Sequence, residues 1–151
     1  MKATPACVGN WMTEAVVTLG PEDNLGLASD IIALGRLRHL PVVDHGRLIG
    51  LVTHRDVLRA LASPTRQLLA REAMTPRPRC VRPTTPISRA IRLMLTNRFG
   101  CLPVVDAHRH LVGIVTETDL LRYAAAAGKE VDSSRSPSPH TRLPPGIATR
   151  L

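Results

Sequence analysis

A chain of 151 residues, 44% of them hydrophobic, can bury a core in one compact unit and still carry a tail. No apolar run approaches the roughly 20 residues of a membrane span, and the start lacks a signal-peptide pattern, so a cytoplasmic protein with no membrane partner is expected. The net charge of +8 invites nucleic acid, but one Trp, one Tyr and one Phe offer few platforms for base stacking. The arginines are also scattered along the sequence, without a basic run. Attraction to anionic small molecules is the preferred reading of the charge. Cys7, Cys80 and Cys101 are odd in number and lack metal-ligand spacing, which predicts reduced thiols and no metal site.

In chain order, an extended piece at residues 16–19 leads through Pro21 to a helix carrying Leu25, Ala28, Ile31 and Ile32 on one face. Two β-branched runs follow, 40–43 and 48–52, joined by a turn at Asp44-His45-Gly46. A helix after Thr53 is expected to turn Leu58 and Leu61 inward. Ser63-Pro64-Thr65 breaks the chain, and the order begins again. An extended piece at 79–81 and Pro83 precede a helix with Ile87, Ala90, Ile91 and Met94. Strands at 102–105 and 111–115 come next, then a helix after Thr116 with Leu120 and Leu121 inward, ending at Gly128. The Ser/Pro-rich stretches at 133–139 and 144–146 cannot build a core and are predicted to be disordered. The expected organisation is a first repeat at 6–62, a linker at 63–72, a second repeat at 73–128 and a tail at 129–151.

The doubling is visible in the residues themselves. Met12-Thr13 recurs as Met74-Thr75, and Leu40-Pro41-Val42-Val43-Asp44 recurs as Leu102-Pro103-Val104-Val105-Asp106. Ten of 33 positions match between residues 12–44 and 74–106, and six of ten between 50–59 and 113–122. A period near 60 residues is too long for a solenoid. The economical fold is α+β: two β-α-β-β-α repeats packed with pseudo-twofold symmetry, with two equivalent clefts at the seam.

Thr53-His-Arg-Asp56 and Thr116-Glu-Thr-Asp119 sit where a strand gives way to a helix. A helix start stabilises an anion, the threonine hydroxyl can donate to a phosphate oxygen, and the aspartate can accept two hydroxyls of a ribose. The same Thr-x-x-Asp pattern also describes an ordinary capping box. The residues leave both readings open.

The doubled Leu-Pro-Val-Val-Asp and Gly-x-x-Thr-x-x-Asp pattern resembles a tandem pair of cystathionine-β-synthase (CBS) domains, the Bateman module, over about residues 8–125. The resemblance implies a regulatory disc whose clefts bind AMP, ADP or ATP, with NAD or S-adenosylmethionine as further candidates. It also implies homodimers, no cofactor and no catalysis. Family roles carried over place Thr53 and Asp56 in one cleft, facing Val81, Arg82, Pro83, Gly100, Cys101 and Leu102. The other would pair Thr116 and Asp119 with Thr18, Leu19, Gly20, Pro21, Arg38, His39 and Leu40. Val81, Leu102 and Ile114 are expected to sandwich an adenine, although Cys80 and Arg82 depart from Thr18 and Gly20 of the first copy.

Basic residues just before Leu-Pro are implied to reach phosphates held by their own copy. Arg38, His39, His54 and Arg55 therefore mark the Thr53 cleft for the more highly charged ligand. Gly100, Cys101 and Glu117 leave the Thr116 cleft empty or suited to a less anionic adenosine compound. An unknown effector protein would read the signal, since no effector domain is evident. The alternative functions are a structural or protein-interaction module without nucleotide binding, and a redox- or metal-responsive module using the three cysteines.

Overall fold

The computed structural model describes residues 5–62 and 67–132. The break at residues 63–65 and the predicted disordered stretches beyond 132 lie outside them. Helix α1, Leu25–Gly35, starts where the Asn24 side chain accepts from the Leu27 amide at 2.9 Å and ends on Arg36 in the left-handed region. Strands β1, His39–Asp44, and β2, Arg47–Thr53, pair antiparallel. His45 and Gly46 join them, both with positive φ, 48° and 78°, as the tight hairpin turn requires. Helix α2 spans His54–Leu61, α3 Ala70–Ala73 and β3 Thr75–Pro76. The second copy supplies α4, Ile87–Asn97, then β4, Cys101–Val105, β5, Leu111–Thr116, and α5, Glu117–Asp132. The expected extended pieces reduce to single parallel bridges, Leu19 to Val42 and Val81 to Val104.

Neither copy is self-contained. Val8 packs in the core formed by Val81, Ile87, Leu102, Val104 and Val115, while Ala70 packs in that of Leu19, Leu25, Leu40, Val42 and Val52. Two amides of the first leader donate to the second copy, Val8 to Thr85 O and Gly9 to Pro83 O, and the Ile87 amide donates back to Ala6 O, all at 2.8–2.9 Å. Their pseudo-symmetric counterparts, Ala70 to Asp23, Arg71 to Pro21 and Leu25 to Leu68, bond at 2.7–3.0 Å. Helix α3 thus begins within residues 63–72, read from sequence as linker, and its Ala70 belongs to the first core. The exchange continues into the sheets. β3 adds antiparallel to β2, with Leu51 opposite Thr75, and Thr13 bridges Ile114 in the same way.

The exchange explains two recurring motifs at once. A Cβ added to Gly50 would lie 2.1 Å from the Met74 sulfur, and one added to Gly113 would lie 2.6 Å from that of Met12. Each Met-Thr lays its methionine over the strand glycine of the other copy, and no other residue leaves that space.

Two helix-face expectations fail. Leu58, Leu61 and Leu121 are 53%, 54% and 70% exposed; Val57 turns inward in α2 instead, and of the α5 pair only Leu120 packs inward as expected. The threonine caps set the phase: Val52 and Val57 flank the first cap as a hydrophobic staple, and Val115 and Leu120 flank the second. Helix α5 also passes through Gly128 to Asp132, so the last four of its residues belong to a helix and not to the expected tail. The preceding alanine run offsets the roughly 1 kcal/mol helix penalty of glycine.

Candidate functional site

Two cavities open along the seam, of about 960 and 570 Å³. Thr53, His54 and Arg55 enter the larger from the β2–α2 junction, and Arg38 and His39 from the approach to β1. The second copy closes it with Thr75, Arg77, Pro78 and Arg79 on one side, and Arg98, Phe99, Gly100 and Cys101 on the other. The smaller cavity takes Thr116, Asp119 and Ile114 from the second copy and Thr13, Ala15, Val16 and Val17 from the first. Arg36, Arg38, His39, Gly100 and Glu117 line both, so the two cavities share a wall.

Seven residues expected in the first cleft line the larger cavity: Thr53, His54, Arg55, Arg38, His39, Gly100 and Cys101. Asp56 stands behind Thr53, off the lining. Val81 and Leu102 are buried in the second core, with the Val81 amide bonded to Pro103 O at 3.0 Å. Arg82 and Pro83 form the turn before α4, where Thr85 Oγ1 accepts from the Arg82 amide and Pro83 O from the Gly9 amide. The mirror positions behave alike. Leu19 and Leu40 are fully buried, Gly20 donates to Asp23 at 2.7 Å, Pro21 O accepts from Arg71, and Thr18 lies off the lining. Ile114, in the smaller cavity, is separated from Val81 and Leu102, so these three do not form one sandwich.

The displacement runs the same way in both copies: Arg77, Pro78 and Arg79 line the larger cavity in place of Val81, Arg82 and Pro83, and Ala15, Val16 and Val17 the smaller in place of Thr18, Leu19 and Gly20. Residues beside β1 and β4 belong to their own copy's core, whereas the residues just after each Met-Thr cross the seam. The recurrence of Met-Thr with a strand glycine was the signal that could have located them.

Both Thr-x-x-Asp segments are capping boxes. Asp56 Oδ2 accepts from the Thr53 amide and hydroxyl, each at 2.8 Å, and the Asp56 amide donates to Thr53 Oγ1 at 3.3 Å. Asp119 repeats this with Thr116 at 2.8, 2.9 and 3.4 Å. Each threonine proton is committed to its aspartate, so the hydroxyl oxygen faces a ligand as an acceptor until that bond is exchanged. The free oxygens differ. Asp119 Oδ1 lies 3.6 Å from Arg122 Nη1, while Asp56 Oδ1 has no partner among the described residues.

Folding gathers the scattered arginines. Arg36, Arg38, Arg55, Arg77, Arg79 and Arg98 all line the larger cavity, with Glu117 as its one carboxylate. None of the six makes an ion pair among the described residues. The smaller cavity sets Arg36, Arg38 and Arg122 against Glu117 and Asp119. The charge difference between the clefts is therefore wider than the residues next to Leu-Pro imply. Gly100 serves the shared wall by lacking a side chain, since a Cβ there would meet His39 Nε2 at 2.8 Å.

Burial lowers the pKa of His39 below its ordinary 6.5, Glu117 opposes this, and Arg38 reinforces it. The unfolded chain then takes the proton first as pH falls. Stability from neutral His39 is present above pH 6.5 and is lost as pH drops through the lower folded value. Urea unfolding at about pH 7.5 and about pH 5 should show this loss, and His39→Gln should reduce it. Burial also pushes the Cys101 thiol up to about 12, which leaves it protonated and unreactive on the cavity wall. No group of three or more His, Cys, Asp or Glu side chains among the described residues could hold a metal ion.

The CBS domain profile matches residues 8–63 and 70–126. Inosine-5'-monophosphate dehydrogenase of Methanocaldococcus jannaschii is 35% identical over 108 residues, 71% of this chain and 21% of that protein. The chain spans between about a fifth and a half of the first curated relatives it matches. The chloroplastic CBS domain-containing protein CBSX2 of Arabidopsis thaliana is 28% identical over 84% of this chain and 67% of its own length. The crystal structure of CBSX2 in complex with AMP superposes with a TM-score of 0.75 at 32% identity, covering 81% of this chain and 98% of that one. The CBS domain pair of protein MJ0100, in complex with 5'-methylthioadenosine and S-adenosylmethionine, gives 0.75 at 28% identity over 82% and 99%. With both halves of the described chain matched, the chain belongs to the CBS domain family as a tandem pair.

Proposed function

We propose that this CBS pair is a regulatory module that binds adenosine-containing ligands, AMP, ADP or ATP first among them, at the seam between its copies. The observation that carries the reading is the larger cavity, where Thr53 and the Asp56 carboxylate behind it meet Arg38, Arg55 and Arg79 between the two halves. Phosphates gain charge-assisted hydrogen bonds there, and Asp56 Oδ1, behind Thr53 and without a partner among the described residues, is the acceptor we assign to the ribose hydroxyls. CBSX2 with AMP and the MJ0100 pair with adenosine-based ligands support the ligand class. NAD and S-adenosylmethionine remain alternatives for the less cationic cavity. A ligand touching both copies biases their relative arrangement in proportion to its differential affinity. The module acts by binding, in the cytoplasm, and passes its state to an effector protein. Leu34 on α1 and Leu95 on α4, 88% and 75% exposed, support pairing of two chains through apolar helix faces.

Thermal unfolding with AMP, ADP, ATP, NAD and S-adenosylmethionine at about 1 mM, against GTP, tests the reading. A ligand at a hundredfold excess over Kd adds roughly 2.7 kcal/mol. An adenine-selective rise in Tm supports the sensor. No shift with any of them supports an interaction module.

A further inference from the structure

We propose that Arg36, Arg77 and Arg98 form an outer anion subsite of the larger cavity, which holds the distal phosphates of a ligand carrying three or more phosphates in a row, without a divalent cation. All three residues have left-handed backbones, with φ of 51°, 46° and 56°. They are three of the five non-glycine residues in that region among those described; the other two, His45 and Arg109, occupy the hairpin turns. Glycine is the residue that adopts this conformation without strain, and it is the usual choice where a helix ends as α1 and α4 do. Both copies instead place arginine there, and both arginines line the same cavity. Strain kept at matching positions of both copies, where a smaller residue would relieve it, marks side chains with a use.

Their backbones are held. The Arg36 amide donates to Ile32 O, the Arg98 amide to Met94 O, and the Arg77 amide to Ile49 O across the seam at 3.1 Å. Three elements thus fix the start of three cationic side chains around one mouth. Arg38, Arg55 and Arg79 complete the lining, and the nucleoside phosphate nearest Thr53 cannot meet six unpaired guanidiniums, since a monophosphate carries at most about two charges. The cavity has room for more, near the upper end of ligand-pocket volumes. Among the described residues Glu117 is its one carboxylate, which leaves no acidic set there to carry a metal with the phosphates.

This inference rests on the nucleotide reading for the inner phosphate, so its test includes a probe without a nucleoside. Calorimetric titrations in EDTA compare AMP, ATP and inorganic tripolyphosphate on the wild-type chain and on Arg36→Gly/Arg98→Gly, a variant whose backbone glycine favours. The wild type should bind ATP about tenfold tighter than AMP or better. The variant should lose about tenfold for ATP and for tripolyphosphate, change AMP by less than about twofold, and keep its Tm. Equal affinities for AMP and ATP in the wild type, or an ATP advantage that survives in the variant, would overturn the subsite. So would AMP binding with no response to tripolyphosphate. Tripolyphosphate binding that the variant loses, with no binding of either nucleotide, would retain the subsite and remove the adenosine reading. Silence with all three probes removes both.

Discussion

Gly50→Ala should destabilise the chain by about 2 kcal/mol, and Met74→Ala in the same molecule should return part of that loss. The added methyl would meet not only the Met74 sulfur but its Cγ at 2.7 Å and its Cβ at 2.9 Å. Rotating the far end of the side chain does not clear a contact made at its root. The segment carrying Met74 must then move, and it is the segment that joins α3 to β3 and closes the first core. Gly113 faces a harder version, with the Thr13 carbonyl oxygen at 3.1 Å besides Met12. Gly128→Ala is the control, because nothing lies within 4 Å of its added Cβ and it sits inside α5. There alanine should stabilise by up to about 1 kcal/mol. Urea unfolding of the two single variants and the double variant checks the coupling. Additive losses at Gly50 and Met74 would mean that the exchanged segment does not rest on the strand glycine.

Asp56→Ala should cost about a hundredfold in nucleotide affinity, whereas Asp119→Ala should cost more in stability than in binding. A carboxylate accepting two ribose hydroxyls makes bonds worth roughly 1.5–3 kcal/mol each, and losing them spans that range of affinity. Both substitutions delete the same capping box, a loss of about 1 kcal/mol, so the difference between them reports on the ligand. Asp56 has one oxygen free beside the more cationic cavity. Asp119 is 4% exposed, and its second oxygen already faces Arg122. Calorimetry for binding and urea unfolding for stability separate the two effects. Equal binding losses, or a greater loss at Asp119, would reverse the ranking of the clefts.

The alternation of apolar residues and the repeated Leu-Pro-Val-Val-Asp were enough to give both hairpins, α1, α4 and the α+β class, because each is decided by local periodicity and turn chemistry. Segment exchange was not legible in that way. Nothing local distinguishes a leader that packs on its own copy from one that packs on the other, and the expected linker at 63–72 followed from that gap. The misplaced cleft residues have the same origin: Val81 and Leu19 sit next to the right strands, but on the core side. Arg38, His39, Thr53 and Gly100 were found because they flank strand ends, which the pattern locates well. The cationic lining was missed for a different reason. Arg36, Arg77, Arg79 and Arg98 lie in separate stretches of sequence away from the Thr-x-x-Asp segments, and only the seam brings them beside Arg38 and Arg55.

The most direct test is calorimetric titration of the wild-type chain with ATP and GTP side by side. The expected result is a saturable, adenine-selective site that Asp56→Ala weakens about a hundredfold. Equal heats from ATP and GTP, or an ATP site indifferent to Asp56, would contradict binding of an adenosine ligand at the Thr53 cleft.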